Sequence, residues 1–469
     1  MDTIMLARIQ FGISLGFHYI FPQTTLGLAL IVLIAEWRYV ATGEEAWKRI
    51  STLLSRFLGL VFAFGVATGL VLPFSFGMNW GKFSVFSAPV FGTQLAIEAM
   101  VAFTLEAVFL SIVMFGRERV SKRAYLASVF FVFLGSHLSA FFIISANSWL
   151  QTPAGYAIEA GRLVLADWVA ATFNPSTGIR FLHAVTAAWI SGFFFVLAIS
   201  SCLIAQNRRR ADAKRLFSLA AALSLAFGLL QPLLGHQQIM EVLRHQPVKD
   251  AAYEGIFESV NGAPLIGFGL PDAANRQIRF ALSIPKGLSF LESGNPDSFV
   301  KGLNDFPVET WPPVNVIFTT FHIMVPLAGV IIAVALSALY FTRKKERKPL
   351  EERPIFLRLV MLSAAAPYLA NELGWIGAEM GRQPWTISGL LMTKDAGTAA
   401  QGKGTVAFSL TLFALVYAVL AVLFWKFTTA AVKSVPQTAS EGGDHASAQY
   451  SSDLLVLRPG FGIPRLLPP

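Results

Sequence analysis

The segment GWIGAEMGRQPW, residues 374–385, places a carboxylate, Glu379, beside tryptophans in a stretch otherwise apolar enough for lipid. A buried carboxylate is costly unless something pairs with it. Glu372 lies seven residues earlier and shares a helical face with Glu379. Arg382 can neutralise a carboxylate, so a plain Glu379–Arg382 ion pair at a helix end is the alternative to a functional site. The segment therefore indicates a polar site at the end of an apolar helix, with Trp375 next to it.

Two further carboxylates, Glu98 and Glu106, lie in the apolar run LAIEAMVAFTLEAVF. Eight residues apart on an ideal helix, they are separated by ~12 Å along the axis and ~80° around it. This separation suits two positions along a hydrated proton path better than one shared metal site. The alternative is that each carboxylate makes a separate interhelical hydrogen bond. Ionisable residues within membrane-spanning segments are candidates for function.

Three histidines and a methionine complete the set of candidate ligands. His18 lies in LGFHYIF, His183 in RFLHAVTAAW, and His322 and Met324 in FTTFHIMVPLAG. A histidine and a methionine together form a haem-iron pair suited to electron transfer, and Arg382 could then neutralise a haem propionate. Neighbours two apart on a helix point ~200° apart, so His322 and Met324 cannot both face one iron. The residues by themselves do not choose between them.

These residues must be positioned by membrane helices. The chain has 469 residues, of which 54% are hydrophobic and only 14% charged, against about 25% charged in soluble globular proteins. A single cysteine, Cys202, excludes an internal disulfide framework, a thiolate-held iron–sulfur cluster and a four-cysteine zinc site. We predict an all-α polytopic membrane protein with nine transmembrane helices. They are expected near 12–35, 57–77, 93–115, 125–147, 181–205, 216–236, 314–341, 355–378 and 405–427.

The basic residues predict the orientation of these helices. They cluster in the short loops after the first, third, fifth and seventh predicted helices. This is the positive-inside pattern, so the N-terminus is expected outside and the C-terminus in the cytoplasm. The same clustering argues against nucleic acid as the reason for the net charge of +9.

We divide the chain into four parts. Residues 1–235 hold helices one to six, 236–313 form one long extracytoplasmic loop, 314–430 hold helices seven to nine, and 431–469 form a flexible cytoplasmic tail. The long connection contains apolar stretches such as LIGFGL and FALSI. It is therefore expected to be ordered and docked on the membrane helices.

Three motifs in order along the chain carry a family resemblance: FHYIFPQTTLG at 17–27, LAIEAMVAFTLE at 95–106, and GWIGAE followed by GRQPW at 374–385. With them, the sequence resembles subunit I of the cytochrome bd-type quinol oxidases up to about residue 430. The resemblance covers the nine-helix layout and the long loop. This loop resembles that of the members whose quinol loop is the shorter kind, without the insertion seen in some other members.

The resemblance implies the haem ligands. His183 and Met324 match the axial ligands of a low-spin haem b. His18 and Glu379 match the ligands of two active-site haems, a high-spin haem b and a haem d, without indicating which residue holds which haem. A buried carboxylate facing iron would have its cost offset by the cation.

The resemblance also implies roles for six further residues. Glu98 and Glu106 match acidic residues of the proton supply, and Trp375 a tryptophan beside the haem pair. Lys249 and Glu254, in QPVKDAAYEG, fall on the quinol-associated lysine and glutamate. Arg382 belongs to the GRQPW signature.

One position departs from the family pattern. Many members have arginine two residues before the methionine ligand, where this chain has His322. An arginine stays charged, whereas a histidine near a haem can be neutral. The change resembles members grouped as cyanide-insensitive, some of which carry haem b in place of haem d. It puts the potential of the low-spin haem and the quinone preference in question.

The resemblance implies a terminal respiratory oxidase of the bacterial inner membrane. It would oxidise quinol, reduce dioxygen to water and generate proton motive force without pumping. The expected partners are subunit II, membrane lipid and, in some complexes, a single-helix small subunit. Two other functions fit part of the pattern: a proton-coupled membrane transporter, although no inverted repeat is evident, and a non-catalytic membrane anchor that binds haem b.

Overall fold

The computed structural model describes residues 2–343, 348–398 and 402–438. Its helices follow one another along the chain with short connections, apart from one long loop. The α-helices are α1 Thr3–Thr42, α2 Glu45–Gly69, α3 Val71–Asn79, α4 Gly81–Ser87, α5 Thr93–Ile97, α6 Thr104–Phe115, α7 Lys122–Gln151, α8 Trp168–Thr172, α9 Thr177–Ala205, α10 Arg210–His245, α11 Pro247–Glu254, α12 Gly287–Ser293, α13 Val314–Arg343, α14 Pro354–Ser363, α15 Ala365–Met380, α16 Thr393–Ala396 and α17 Lys403–Lys433.

Strands are few and short, and they pair only as two-stranded antiparallel ribbons in the described residues. The strands are β1 Tyr156–Glu159, β2 Arg162–Leu165, β3 Val260–Asn261, β4 Leu265–Asp272, β5 Gln277–Ile284, β6 Phe299–Val300, β7 Trp385–Ile387 and β8 Leu391–Met392. The pairs are β1 with β2, β3 with β6, β4 with β5, and β7 with β8.

Nine helical segments in the described part of the chain are long and apolar enough to cross a membrane. They are α1, α2 with α3, α4 to α6, α7, α8 with α9, α10, α13, α14 with α15, and α17. The predicted all-α membrane fold with nine spans is thus confirmed, because each span keeps the ~20 apolar residues that cover the hydrocarbon.

The structure moves two of the predicted boundaries. Helix α10 runs to His245, so the first residues of the connection predicted over 236–313 are helical. Helix α17 ends at Lys433, within the tail predicted from 431. The next residues bind the turn after α9, where Thr438 donates a backbone hydrogen bond to Asn207, 2.8 Å away. The rest of the predicted tail, 439–469, lies outside the described residues.

Helix α9 is the central helix of the bundle, and it packs against α1, α7, α10, α14 and α15. It crosses α1 at close range, because a β-carbon on Gly192 would lie 2.5 Å from the α-carbon of Gly27. Small residues at such crossings let membrane helices approach closely enough to gain dispersion energy. Large side chains on either side, including Phe193 and Phe194, are fully buried.

Four helices form a closed group at the centre of the site described below. Helix α9 packs against α10, α10 against α13, α13 against α15, and α15 again against α9. We call α9, α10, α13 and α15 the four-helix group. Helix α1, which packs against α9 of this group, also packs against α2, α7 and α17.

The segment between α10 and α13, residues 246–313, is here called the long loop. It begins with α11, continues through the β4–β5 hairpin and α12, and folds back onto α10 and α13. Two apolar clusters fasten it. One joins Val242 and Ile317 to Phe257 and Leu303, and the other surrounds Phe318.

Candidate functional site

His183 lies in the four-helix group, against one face of α10. The side-chain amide nitrogen of Gln231 lies 3.2 Å from Nδ1 of His183 and 3.2 Å from its backbone oxygen. One turn further along α10, a β-carbon on Gly235 would lie 3.5 Å from the imidazole Cε1. The glycine leaves room beside the ring, and the amide limits the ring's rotation.

Met324 points into the same group from α13. Its sulfur would lie 2.8 Å from a β-carbon on Gly374 of α15. His322 points the other way, with Nε2 2.8 Å from the backbone oxygen of Ile266 in β4. The ~200° separation expected from helix geometry therefore holds. Of the two side chains, Met324 faces α15 within the group that contains His183.

His18 lies between α1 and α2. Its Nδ1 is 2.9 Å from the hydroxyl of Thr68, and a β-carbon on Gly69 would lie 2.9 Å from its Cε1. Half a turn away, a β-carbon on Gly16 would lie 3.2 Å from a carboxylate oxygen of Glu372 and 4.0 Å from Trp375. Glycines again keep space open where polar and aromatic side chains converge.

Glu379 lies at the end of α15, with both carboxylate oxygens engaged. Oε1 accepts a hydrogen bond from Asn147, 2.8 Å away, and Oε2 forms an ion pair with Arg382. Asn147 in turn accepts a hydrogen bond from Arg180 of α9. Buried nitrogens of both arginines have no partner among the described residues, Nε and Nη1 of Arg382 and Nε of Arg180. They can receive a further anionic group.

Sequence reasoning did not single out several of these neighbours, namely Asn147, Arg180, Gln231 and Gln151. Of these residues, only Arg180 could have been noticed in the sequence, because it is a charged residue in the first turn of an apolar helix. The amides are ordinary polar residues in sequence. They become informative only once their partners, 33 to 232 residues away, are known.

Helix α11 places Lys249 directly against the end of α15. Lys249 is 2% exposed, and its Nζ donates to the side-chain oxygen of Gln151 and to the backbone oxygen of Ala378, both 3.0 Å away. Glu254, five residues later and ~140° around the helix, faces elsewhere. It is buried, with Oε2 unpartnered in the described part of the chain. The structure therefore puts Lys249 and Glu254 on different sides of one short helix.

The electrostatics of α11 differ from those of exposed side chains. Burial, and then the positive charge of Arg180, holds the pKa of Lys249 well below its ordinary value. Burial, and then the nearby Glu292, raises the pKa of Glu254 to about 8. Asp250 shares a face with Glu254 and lies beside Glu292. Burial and these two carboxylates raise the pKa of Asp250 well above its ordinary value.

Glu98 and Glu106 both face α7, which corrects the expected ~80° offset. The hydroxyl of Ser139 donates to Glu98 at 2.7 Å, and a β-carbon on Gly135, one turn earlier on α7, would lie 3.0 Å from the β-carbon of Glu106. The reason is a π-helical segment, Glu98–Phe103. A π turn holds more residues than an α turn, so it rotates the following residues back around the axis.

The donor set fits haem better than a bare metal ion. Across residues 2–343, 348–398 and 402–438, no three His, Cys, Asp or Glu side chains form a group that could hold a metal ion. A porphyrin brings four nitrogen ligands of its own and needs only one or two from the protein. Single donors beside glycine-lined space, with unpartnered arginine nitrogens nearby, are what haem and its propionates require.

The comparisons with known proteins identify one family. The sequence model of the family described as cytochrome bd terminal oxidase subunit I matches residues 6–436. The chain is 34% identical to cytochrome bd ubiquinol oxidase subunit 1 of Bacillus subtilis (strain 168), over 90% of this chain and 92% of that protein. It is 30% identical to cytochrome bd-II ubiquinol oxidase subunit 1 of Escherichia coli (strain K12), over 94% of this chain and 100% of that protein.

Among solved structures, bd oxidase from Geobacillus thermodenitrificans superposes with a TM-score of 0.85. The two chains are 28% identical, and the match covers 93% of this chain and 99% of the other. The chain thus resembles these proteins in fold, in length and in sequence over nearly the whole of each match. The chain belongs to the cytochrome bd terminal oxidase subunit I family.

Proposed function

We propose that this chain oxidises quinol at the long loop and reduces dioxygen to water within the membrane. Family membership makes it the haem-bearing subunit of a terminal quinol oxidase, a multi-pass bacterial membrane protein that works in electron transport. The observation that carries the finer proposal is the contact between α11 and α15. Lys249 of the long loop bonds to Ala378, the residue before Glu379. The proposed reductant site and a candidate haem ligand would thus meet at one helix end.

The cofactors we propose are three haems. His183 and Met324 would hold a six-coordinate low-spin haem b, and the four-helix group that contains both side chains supports this pairing. His18 and Glu379 would each hold one of two active-site haems, a high-spin haem b and a haem d, or haem b in its place. Bound haem supplies the electron transfer and oxygen binding that no side chain of the chain can supply.

The chain's own side chains would do the proton and binding chemistry at the quinol. Gln151 and Ala378 orient the amine of Lys249, and its third and longest hydrogen bond is to Gln246 at 3.4 Å. Protonated Lys249 can donate to one quinol oxygen from this fixed position in exchange for the bond to Gln246. When the carboxyl group of Glu254 is ionised, it can take the proton of a quinol hydroxyl, since one of its oxygens has no partner in the described residues. Quinol oxidation here would release protons on this face of the membrane.

The reduction of dioxygen consumes protons. Glu106 and Glu98 would carry these protons toward the active-site haems along the face of α7. Trp375 would pack beside the haem pair, and Arg382 with Arg180 would hold an anionic substituent of a cofactor. We propose that the N-terminus lies outside and the C-terminus in the cytoplasm. Proton release outside and uptake inside would then generate proton motive force without a pumping element.

The assembly we propose contains subunit II and, in some complexes, a single-helix small subunit. Subunit I of an oxidase implies a complex with a second subunit. Helix α17 exposes a row of large apolar side chains, from Phe408 to Trp425. Such a face needs lipid or another membrane chain to cover it.

The test uses the complex purified from membranes. Haem extraction, a reduced-minus-oxidised spectrum and quinol-dependent oxygen consumption are measured together. We expect both low-spin and high-spin signals, and we expect Met324→Leu to remove the low-spin signal, because leucine has no sulfur to bind iron. Met361→Leu, on α14, is the matched control and should keep it. Absence of quinol-dependent oxygen consumption from the haem-loaded complex would contradict the proposed reaction.

A further inference from the structure

His322 joins the helix that carries Met324 to the long loop. Its Nε2 lies 2.8 Å from the backbone oxygen of Ile266 in β4, and its Nδ1 lies 3.0 Å from the backbone oxygen of Phe318. Phe318 lies four residues before His322, so its backbone oxygen already accepts the backbone N–H of His322 within the helix. The bond to Ile266 is therefore the one that the side chain adds, and it spans 56 residues of chain.

The ring of His322 also stacks on Phe318. The two ring centroids lie 3.8 Å apart with an interplanar angle of 19°. Phe318 is fully buried, among Ile256, Ala263, Ile266 and other apolar side chains of the long loop. The imidazole thus covers one face of the side chain around which this part of the long loop packs.

Phe318 in turn contacts the end of α11. Gly255, the residue after Glu254, has a φ of +71°, and a β-carbon there would lie 2.7 Å from the Phe318 ring. Only glycine adopts this backbone conformation freely and admits a ring so close. A shift of the Phe318 ring therefore acts directly on the turn that ends α11.

We propose that His322 is a positioning residue for the quinol site: its hydrogen bond to Ile266 and its ring stack on Phe318 hold the long loop, and with it α11, against α13. The proposal rests on the proposed function, because the site in question is the quinol site of the long loop. His322 does not touch the reacting groups in this arrangement. It sets where Lys249 and Glu254 stand relative to the four-helix group.

The principal variant is His322→Phe, which keeps a flat ring on Phe318 and removes both polar contacts of the imidazole, the one to Ile266 and the local one to Phe318 within the helix. Two readouts are measured on the purified complex. Limited trypsin digestion reports cutting at the exposed Arg276 and Arg279 of the β4–β5 hairpin, and steady-state oxygen consumption gives KM and kcat for a soluble quinol.

We expect the hairpin to be cut roughly five-fold faster and the quinol KM to rise by a similar factor, which is what one net hydrogen bond contributes. The kcat should change by less than the KM, because the positioned residues remain present. The low-spin haem signal should persist. His236→Phe, an exposed histidine of α10, is the matched control and should leave both readouts unchanged.

His322→Gln provides the rescue, since its amide nitrogen can still donate to the oxygen of Ile266. It should restore the wild-type digestion rate and KM at least in part, and it keeps the proposal testable if the phenylalanine variant does not assemble. Equal digestion rates and equal KM values in wild type and His322→Phe would overturn the proposal. A wild-type complex without quinol oxidation would overturn the proposed function instead, while the digestion rates would still test whether His322 holds the loop.

Discussion

The amine of Lys249 donates a hydrogen bond to the backbone oxygen of Ala378 at 3.0 Å, immediately before Glu379. A side chain of the long loop is thereby attached to the end of the helix that carries a candidate haem ligand. Gly381 is part of the same contact, since a β-carbon there would lie 2.7 Å from Cε of Lys249. If Lys249 binds quinol and Glu379 binds haem, as we propose, this one short, packed contact would help to set the distance between the two.

Lys249→Met should weaken quinol binding. Methionine fills a similar volume but cannot donate, and losing one partner of a buried hydrogen bond costs ~1–3 kcal/mol. We expect the quinol KM to rise roughly ten-fold, with the haem spectrum unchanged. Steady-state oxygen consumption at varied quinol measures this. Lys301→Met, at an exposed lysine of the same loop, is the control. An unchanged KM would remove Lys249 from the quinol site.

Glu254 should impose a pH dependence on quinol oxidation. Its pKa is raised to about 8, so its carboxyl group is protonated at neutral pH and ionises as the pH rises. If the carboxylate takes the quinol proton, the rate should climb between about pH 7 and about pH 9. Glu254→Gln should lose most of the activity and this climb.

Glu292 provides a sharper version of the same test. Its negative charge contributes to the raised pKa of Glu254, so Glu292→Gln should lower that pKa. The rising limb of the rate profile should then move to lower pH, with activity retained. A limb that stays in place would show that another group controls the profile.

Gly374→Ala should disturb the methionine that faces it. The added β-carbon would lie 2.8 Å from the Met324 sulfur, closer than such contacts allow. Relief requires the sulfur to move, at a cost of about 1–3 kcal/mol, which is typical of overpacking. We expect a smaller and shifted low-spin band in the reduced-minus-oxidised spectrum. Gly329→Ala on α13, where the added carbon meets nothing within 4 Å, should leave the band as it is.

Glu106→Gln should slow turnover without affecting quinol binding. The side chain is buried against α7, and glutamine keeps its shape but cannot carry a proton. General acid–base groups contribute about 10²- to 10⁴-fold, so we expect at least a roughly ten-fold lower kcat with an unchanged KM and haem spectrum. Glu118→Gln, at an exposed position, is the comparison. Full activity in Glu106→Gln would exclude Glu106 from the proton route.

The length and hydropathy of the apolar runs were sufficient to predict nine membrane helices. A membrane span needs about 20 consecutive apolar residues, and few other structural elements contain such a run. The same signal could not locate the end of α10. Its last turns, through HQQIMEVLRH, are polar, and hydropathy reports the lipid boundary rather than the helix end. The offset between Glu98 and Glu106 was misjudged for a related reason: a π turn leaves no periodic signal in so short an apolar stretch.

The site residues divide in the same way. His18, His183, Met324 and Glu379 stood out because polar or iron-binding side chains are conspicuous in apolar helices. Their roles as ligands stay predictions. Which of His322 and Met324 faces the helices around His183 was visible only from the neighbours of each, Ile266 for one and Gly374 for the other.

The sequence alone thus determined the membrane fold, the number of spans and which side chains do not belong in lipid, because these depend on local composition and helix geometry. Only the tertiary structure decided which of those side chains meet. Lys249 and Ala378 are separated by 129 residues, and Asn147 and Glu379 by 232. Such pairings arise when packed helices bury polar groups that must then find partners across the bundle, and no spacing along the chain encodes them.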